Sequence, residues 1–169
     1  MAADRRAAKL ASGLALRPLV AGDARELTRI HRTEEVRRWW SDPDDEFPWD
    51  EPDSTRWTVE VDGEIAGLVQ FYEENEPRYR HASIDLFLDP ARHGRGLGTE
   101  VIRRTVAHLV QERGHHRITI DPAADNAAAI RCYEKVGFTS VGVMRAYERD
   151  AFGEEWHDGV LMEFVVEGA

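Results

Sequence analysis

The chain has 169 residues, 42% hydrophobic and 32% charged, with a formal net charge of −10. That length suits one domain with a full core, and the charge argues against nucleic acid or an anionic membrane as partner while suiting a cationic one. No apolar run approaches the roughly 20 residues that span a bilayer, and the single cysteine, Cys132, rules out an internal disulfide.

Residues 1–13 are rich in Ala, Arg and Lys without a period and are expected to be a disordered tail, leaving 14–169 as a single domain. The start carries no apolar signal core, so a cytoplasmic location is expected. The spacing predicts a first strand over 14–19. A helix capped by Asp23 follows, with Leu27 and Ile30 on one face, then a short helical turn from Val36 to Trp39 and Trp40. Residues 41–54 hold three prolines and a run of acids with no period. Phe47 and Trp49 make plain disorder a poor description of that loop.

Two strands, 57–61 and 64–71, are joined by Asp62-Gly63, a strong hairpin signal. A second acidic connection, 72–79, leads to a strand over 81–88. Its Ile84, Leu86 and Leu88, with Phe87 between, form a buried run broken by Asp85 and ended by Asp89-Pro90. A helix over 97–112 is stopped by Gly114. His115 and His116 stand at the start of the next strand, 117–121, as surface residues rather than metal ligands. No Cys/His cluster has metal spacing, so no metal is expected. Asp125 or Asn126 caps a helix ending at Lys135 and Gly137. Strands over 138–143 and 160–166 flank a linking stretch, 145–158. The order is that of a mixed α/β fold with one central sheet.

Between the strand 81–88 and the helix at 97 lies Arg-His-Gly-Arg-Gly-Leu-Gly-Thr, 92–99. Gly94, Gly96 and Gly98 allow backbone amides to converge and an anion to approach closely. The following helix start adds free N–H groups and the positive end of its dipole. The glycine spacing matches neither the dinucleotide fingerprint nor the Walker loop. Arg92 and Arg95 favour an anion over a plain turn.

This loop resembles the pyrophosphate loop of the GNAT superfamily of N-acetyltransferases, with His93 in a position where that family has Gln or Arg. A second stretch resembles the family more specifically: Asn126, Ala129, Tyr133, Lys135, Gly137 and Phe138 stand in its spacing. The resemblance implies the GNAT fold, a single mixed, mostly antiparallel central sheet flanked by helices, and acetyl-coenzyme A as cosubstrate. The coenzyme is then expected to lie along Leu86, Phe87, Leu88, His93, Gly94, Arg95, Gly96, Leu97, Gly98, Thr99, Asn126, Ala129 and Tyr133. Tyr133 is implied as the acid that protonates the leaving thiolate; its plain alternative is a packed helix tyrosine. For Asn126 the alternative to bonding the pantetheine arm is a helix cap. Cys132 has no neighbouring base signature and is expected in the core.

An amine acceptor with an ordinary pKa of about 10.4 is neutral in only about one molecule in a few thousand at pH 7, so its deprotonation costs roughly 4–5 kcal/mol. A positioned base helps. Asp85 interrupts an apolar strand, where an unpaired carboxylate is expensive; a bound ammonium relieves it, and so does an arginine. Within the family, Ile84-Asp85, Asp121-Pro122, the Trp39-Trp40 pair and the run 129–138 resemble the aminoglycoside 6'-N-acetyltransferases. That branch implies Asp85 as proton acceptor or anchor, Asp121 as anchor, and Trp39 and Trp40 as pocket wall. The acidic connections 42–53 and 73–76 are expected over the same side. The segments 145–149 and 155–162 instead resemble members acting on protein amino groups or polyamines. The expected partner is a small cationic amine, with the chain a monomer or homodimer. A protein or polyamine acetyltransferase and a silent acyl-coenzyme A binding module are the alternatives.

Overall fold

The structure, a computed structural model, describes residues 13–150 and 153–168. The tail expected over 1–13 lies outside the described residues except for Gly13, whose carbonyl accepts from Asp62 N. The elements are β1 (Leu14–Pro18), α1 (Ala24–His31), α2 (Glu34–Trp40), β2 (Thr55–Val61), β3 (Glu64–Glu74), β4 (His81–Leu88), α3 (Leu97–Gln111), β5 (Arg117–Ile120), α4 (Ala127–Glu134), β6 (Thr139–Arg149) and β7 (Trp156–Val165). Among the described residues seven strands form one sheet in the order β1-β2-β3-β4-β5-β7-β6. Every pairing is antiparallel except β4 with β5. Among the described residues no helix is long and apolar enough to cross a membrane.

Each face of the sheet has its own apolar cluster. Val69, Phe71 and Ile84 pack against Val101, Ile102 and Leu109 of α3 and Tyr133 of α4. Leu68 and Phe87 pack on the other face against Leu27, Ile30, Val36 and Phe47. Alternate residues of a strand point to opposite faces, so β4 is apolar on both sides and Asp85 shares the α1/α2 side with Phe87. The two short helices cover Phe87 and leave the sheet around Asp85 open. Asp62 and Gly63 have φ of 54° and 81°, the positive pair that a tight two-residue hairpin requires. At Gly67 an added Cβ would lie 2.2 Å from the Phe87 carbonyl oxygen, so β3 and β4 close only over glycine.

The parallel pairing of β4 and β5 spans only Ala82 with Ile118 and Ser83 with Thr119. β5 then ends at Ile120, and Pro122 has no N–H to continue a ladder. Beyond this point the strands part, and the Leu86 carbonyl accepts from Trp40 Nε1 at 3.2 Å. The parting is the floor of the cleft described below.

Four expectations need correction. The stretch 145–158, expected as a link, is the end of β6 and the start of β7; Ala151 and Phe152 within it lie outside the described residues. β6 is an edge strand exposed along nearly its whole length, so it lacks the alternation that marks a half-buried strand. His115 is buried, not on the surface: its Nε2 lies 2.7 Å from Glu73, which also pairs with Arg113. For the same reason residue 73 is not over the cleft, because β3 continues to Glu74 and carries Glu73 to the far end of the sheet. Asp23 makes no hydrogen bond to an α1 amide. Its buried carboxylate accepts from Val20 N, Thr58 Oγ1 and Arg17, tying β1 and β2 to the helix start.

Candidate active site

The turn after β4 starts with Asp89, whose side chain accepts from Ala91 N. Gly94 and Gly96 follow at φ 69° and 81°, in the left-handed region that other residues enter at a cost. Gly96 is the N-cap of α3, whose first-turn amides have no intrahelical partner. An added Cβ at Gly94 or Gly96 would meet nothing within 4 Å, so space for an approaching group exists on that side. Gly98 is different: its Cβ would lie 3.3 Å from Cys132 Sγ, and it serves the packing of α3 on α4. The His93 ring folds back, with Nε2 3.1 Å from the Leu88 carbonyl. Arg92 lines the cleft and is paired with the exposed Glu64, and Arg95 stands exposed on the turn. The free amides and the positive end of the helix dipole at this turn favour an anion. Free amides, a glycine cradle and an open approach fit the pyrophosphate of coenzyme A.

From this loop a cleft of about 1430 Å³ runs along the parting of β4 and β5. A single small-ligand pocket measures roughly 300–1,000 Å³, so coenzyme and acceptor have room side by side. The cleft brings together Trp39, Trp40, Asp85, Leu86, Phe87, Leu88, His93, Gly94, Gly96, Leu97, Gly98, Thr99, Asp121, Asn126, Ala129 and Tyr133; of the residues expected at the site, Arg95 alone stands outside. Asn126 caps α4, its Oδ1 accepting from Ala129 N at 3.1 Å. Trp40 sits edge-on to His31 and Phe87, while Arg38 lies 4.6 Å over the Trp39 ring. Cys132 lies 3.3 Å from Thr99 Oγ1, and burial pushes its thiol up, so it is a poor nucleophile.

The end of the cleft away from the glycine turn is acidic. Asp85 stands in register with Gln70 on β3, and among the described residues it has no ion pair. Arg56, the neighbouring cation, bonds Gln70, Pro48 and Asp50 instead. Burial first, then the carboxylates of Asp121, Glu148 and Glu51, push Asp85 up to about 6 against a hydrogen bond from Gln70. Burial and the Asp121 charge also raise Glu148. Tyr133 is buried in the core, where burial, then Cys132, Asp85 and Asp121, hold its phenol protonated far above the ordinary range. Tyr72, pushed up to about 12 mainly by burial and Glu51, lines the same wall.

Gln70 and Tyr72 of β3 and His31 of α1 join the site without a local sequence signal, and Tyr147 and Glu148 of β6 join it from the segment 145–149, whose resemblance named no site residue. Phe47 and Glu51 come from the loop over 41–54, whose aromatics and acids were such a signal.

The chain belongs to the acetyltransferase (GNAT) family, whose model matches residues 24–138. It is 29% identical over 143 residues to spermidine N(1)-acetyltransferase of Escherichia coli K12, covering 78% of this chain and 76% of that protein. Aminoglycoside N(6')-acetyltransferase type 1 of Klebsiella pneumoniae is 34% identical over 102 residues, covering 53% and 50%. An aminoglycoside acetyltransferase solved with coenzyme A and kanamycin superposes with a TM-score of 0.73 at 25% identity, covering 90% of this chain and 94% of that one. The chain is thus an N-acetyltransferase, with acetyl-coenzyme A as cosubstrate and the GNAT fold. Tyr147 and Glu148 lie beyond the segment that the family model matches.

Proposed function

We propose that this protein acetylates a primary amine of a polycationic small molecule, the 6'-amine of an aminoglycoside in the first instance. The observation that carries the reading is the group of carboxylates, Asp85, Asp121 and Glu148 with Glu51 above them, for which the described residues supply no arginine or lysine partner. Carboxylates gathered without cations of their own bind ammonium groups. Trp39 and Trp40 offer the apolar wall that the face of a sugar ring covers.

In this reading Asp121 and Glu148 hold ammonium groups while an Asp85 oxygen takes a proton from the reacting one. A carboxylate raised toward neutral pH is a better base than an ordinary one. The amine lone pair attacks the thioester carbonyl, the C–N bond forms, and the C–S bond breaks. Tyr133 Oη gives its proton to the departing sulfur and recovers one through solvent from the newly bonded nitrogen, which sheds its second proton as the amide forms, while Asp85 returns the first to solvent. The amides at 94–99 and Asn126 hold the coenzyme. A linear polyamine is the second reading, favoured by the longer stretch of similarity to the spermidine enzyme. Thiol release measured with kanamycin, spermidine and a peptide with a free amino terminus tests this. Kanamycin turnover supports the first reading and spermidine turnover alone the second. Turnover of the peptide alone overturns both, and coenzyme binding without any turnover marks a silent module.

A further inference from the structure

β6 breaks its pairing with β7 between Met144 and Glu148. At the break Ala146 takes φ 48°, and its N–H donates to Asp158 Oδ1 at 2.8 Å. Across the hairpin an added Cβ at Gly159 would lie 2.8 Å from Tyr147 Cδ1 and 3.2 Å from Met144 Cε, so the Tyr147 ring lies where only glycine leaves room. A bulge re-aims a side chain that a regular ladder would direct elsewhere. Here it brings the Tyr147 hydroxyl onto Asp121, to which it donates a short hydrogen bond.

Asp121 shares the cleft wall with Asp85 from β4, Tyr133 from α4, and Tyr147 and Glu148 from β6, and the charges of His157 on β7 and of Asp125 act on Glu148. Among the described residues no lysine or arginine pairs with it. Asp85 stands in register with Gln70, whose amide nitrogen donates to the Tyr72 hydroxyl and whose oxygen accepts from Arg56. Of the two carboxylates it is Asp121 that accepts from Tyr147.

We infer that Tyr147 is a positioning residue that holds the Asp121 carboxylate as the fixed anchor for the amine, leaving Asp85 as the group that exchanges the proton. This rests on the amine-acetylating reading above. The hydrogen bond orients one Asp121 oxygen and leaves the remaining lone pairs for an ammonium. The phenol stays a donor because Asp121 and burial raise it well above its ordinary range.

Tyr147→Phe keeps the ring against Gly159 and removes the donor. The expected result is an amine KM raised about tenfold or more, with kcat and the acetyl-coenzyme A KM within about twofold. In an Asp121→Asn background the same change should have no further effect, because the pair acts as one unit. Gly159→Ala, which crowds the ring, should reproduce the rise in KM. An unchanged amine KM, a kcat loss at constant KM, or full additivity with Asp121→Asn overturns the inference. A substrate-free arm separates it from the proposed function. Nitration by tetranitromethane attacks the phenolate, so Asp121→Asn should speed Tyr147 nitration several-fold while exposed Tyr79 is unaffected. Faster nitration in a protein that acetylates no amine keeps the Tyr147–Asp121 contact and defeats only the proposed function; an unchanged rate overturns the contact itself.

Discussion

Burial and neighbouring carboxylates push Asp85 up to about 6 from an ordinary 3.8, so folding disfavours its charged form. A folded-state pKa raised above the unfolded one gives a contribution that is present below about pH 4 and lost as pH rises through 6. At pH 7.5 the native protein therefore holds a costly charge there. Asp85→Asn should raise stability at pH 7.5 by up to about 3 kcal/mol, a gain that shrinks on acidification toward pH 4. The same variant should lose kcat by about a hundredfold or more if Asp85 takes the proton. In the wild type, kcat/KM should fall below about pH 6. Thermal unfolding at the two pH values, with kinetics at each, checks all three. The sequence marks Asp85 as an interruption of an apolar strand but does not choose its partner, ammonium or arginine. The structure puts Arg56 on Gln70, Pro48 and Asp50 instead, an arrangement made by β2, β3 and a loop.

The loop from β4 to α3 works at the scale of one element junction. Its requirements are local: positive φ at Gly94 and Gly96, a helix start behind them, and no Cβ in the way. Such requirements can be read from five residues. Gly96→Glu adds backbone strain of roughly 1–2 kcal/mol and places a carboxylate where phosphate should sit. Titration calorimetry should show coenzyme A affinity lost by at least about a hundredfold in a variant that keeps its far-ultraviolet dichroism. Affinity near that of the wild type would remove the loop from the coenzyme site. The β6–β7 hairpin is the opposite case. Its bulge depends on Asp158, Gly159 and Asp121, which reach Ala146 and Tyr147 only once the strands are paired.

Across the whole molecule the charge of −10 and the acidic cleft act in the same direction on a cation. The screening length falls from about 10 Å at 0.1 M salt to about 3 Å at 1 M. The amine KM should therefore rise several-fold between these concentrations, more steeply for a tetra-amine than for a diamine. The acetyl-coenzyme A KM should not rise in step, because that substrate is anionic. Initial rates over a salt series measure both, and a salt-independent amine KM would mean that the carboxylates do not attract the substrate.

The sequence by itself determined the element order through β5 and α4, the glycine turn ahead of α3, and the placing of Asn126 as the cap of the short helix that carries Tyr133. Each rests on spacing within a few residues, where periodicity, turn chemistry and capping are decided. Tertiary structure alone decided the parting of β4 and β5, the burial of His115 on Glu73, and the entry of Tyr147 and Glu148 into the cleft wall. These depend on contacts between residues tens of positions apart. Glu73 shows the limit from the other side: its place in an acidic run pointed to the cleft, yet the continuation of β3 carries it onto Arg113 and His115. Spacing sets which residues share a turn, and only the packed chain sets which way each one faces.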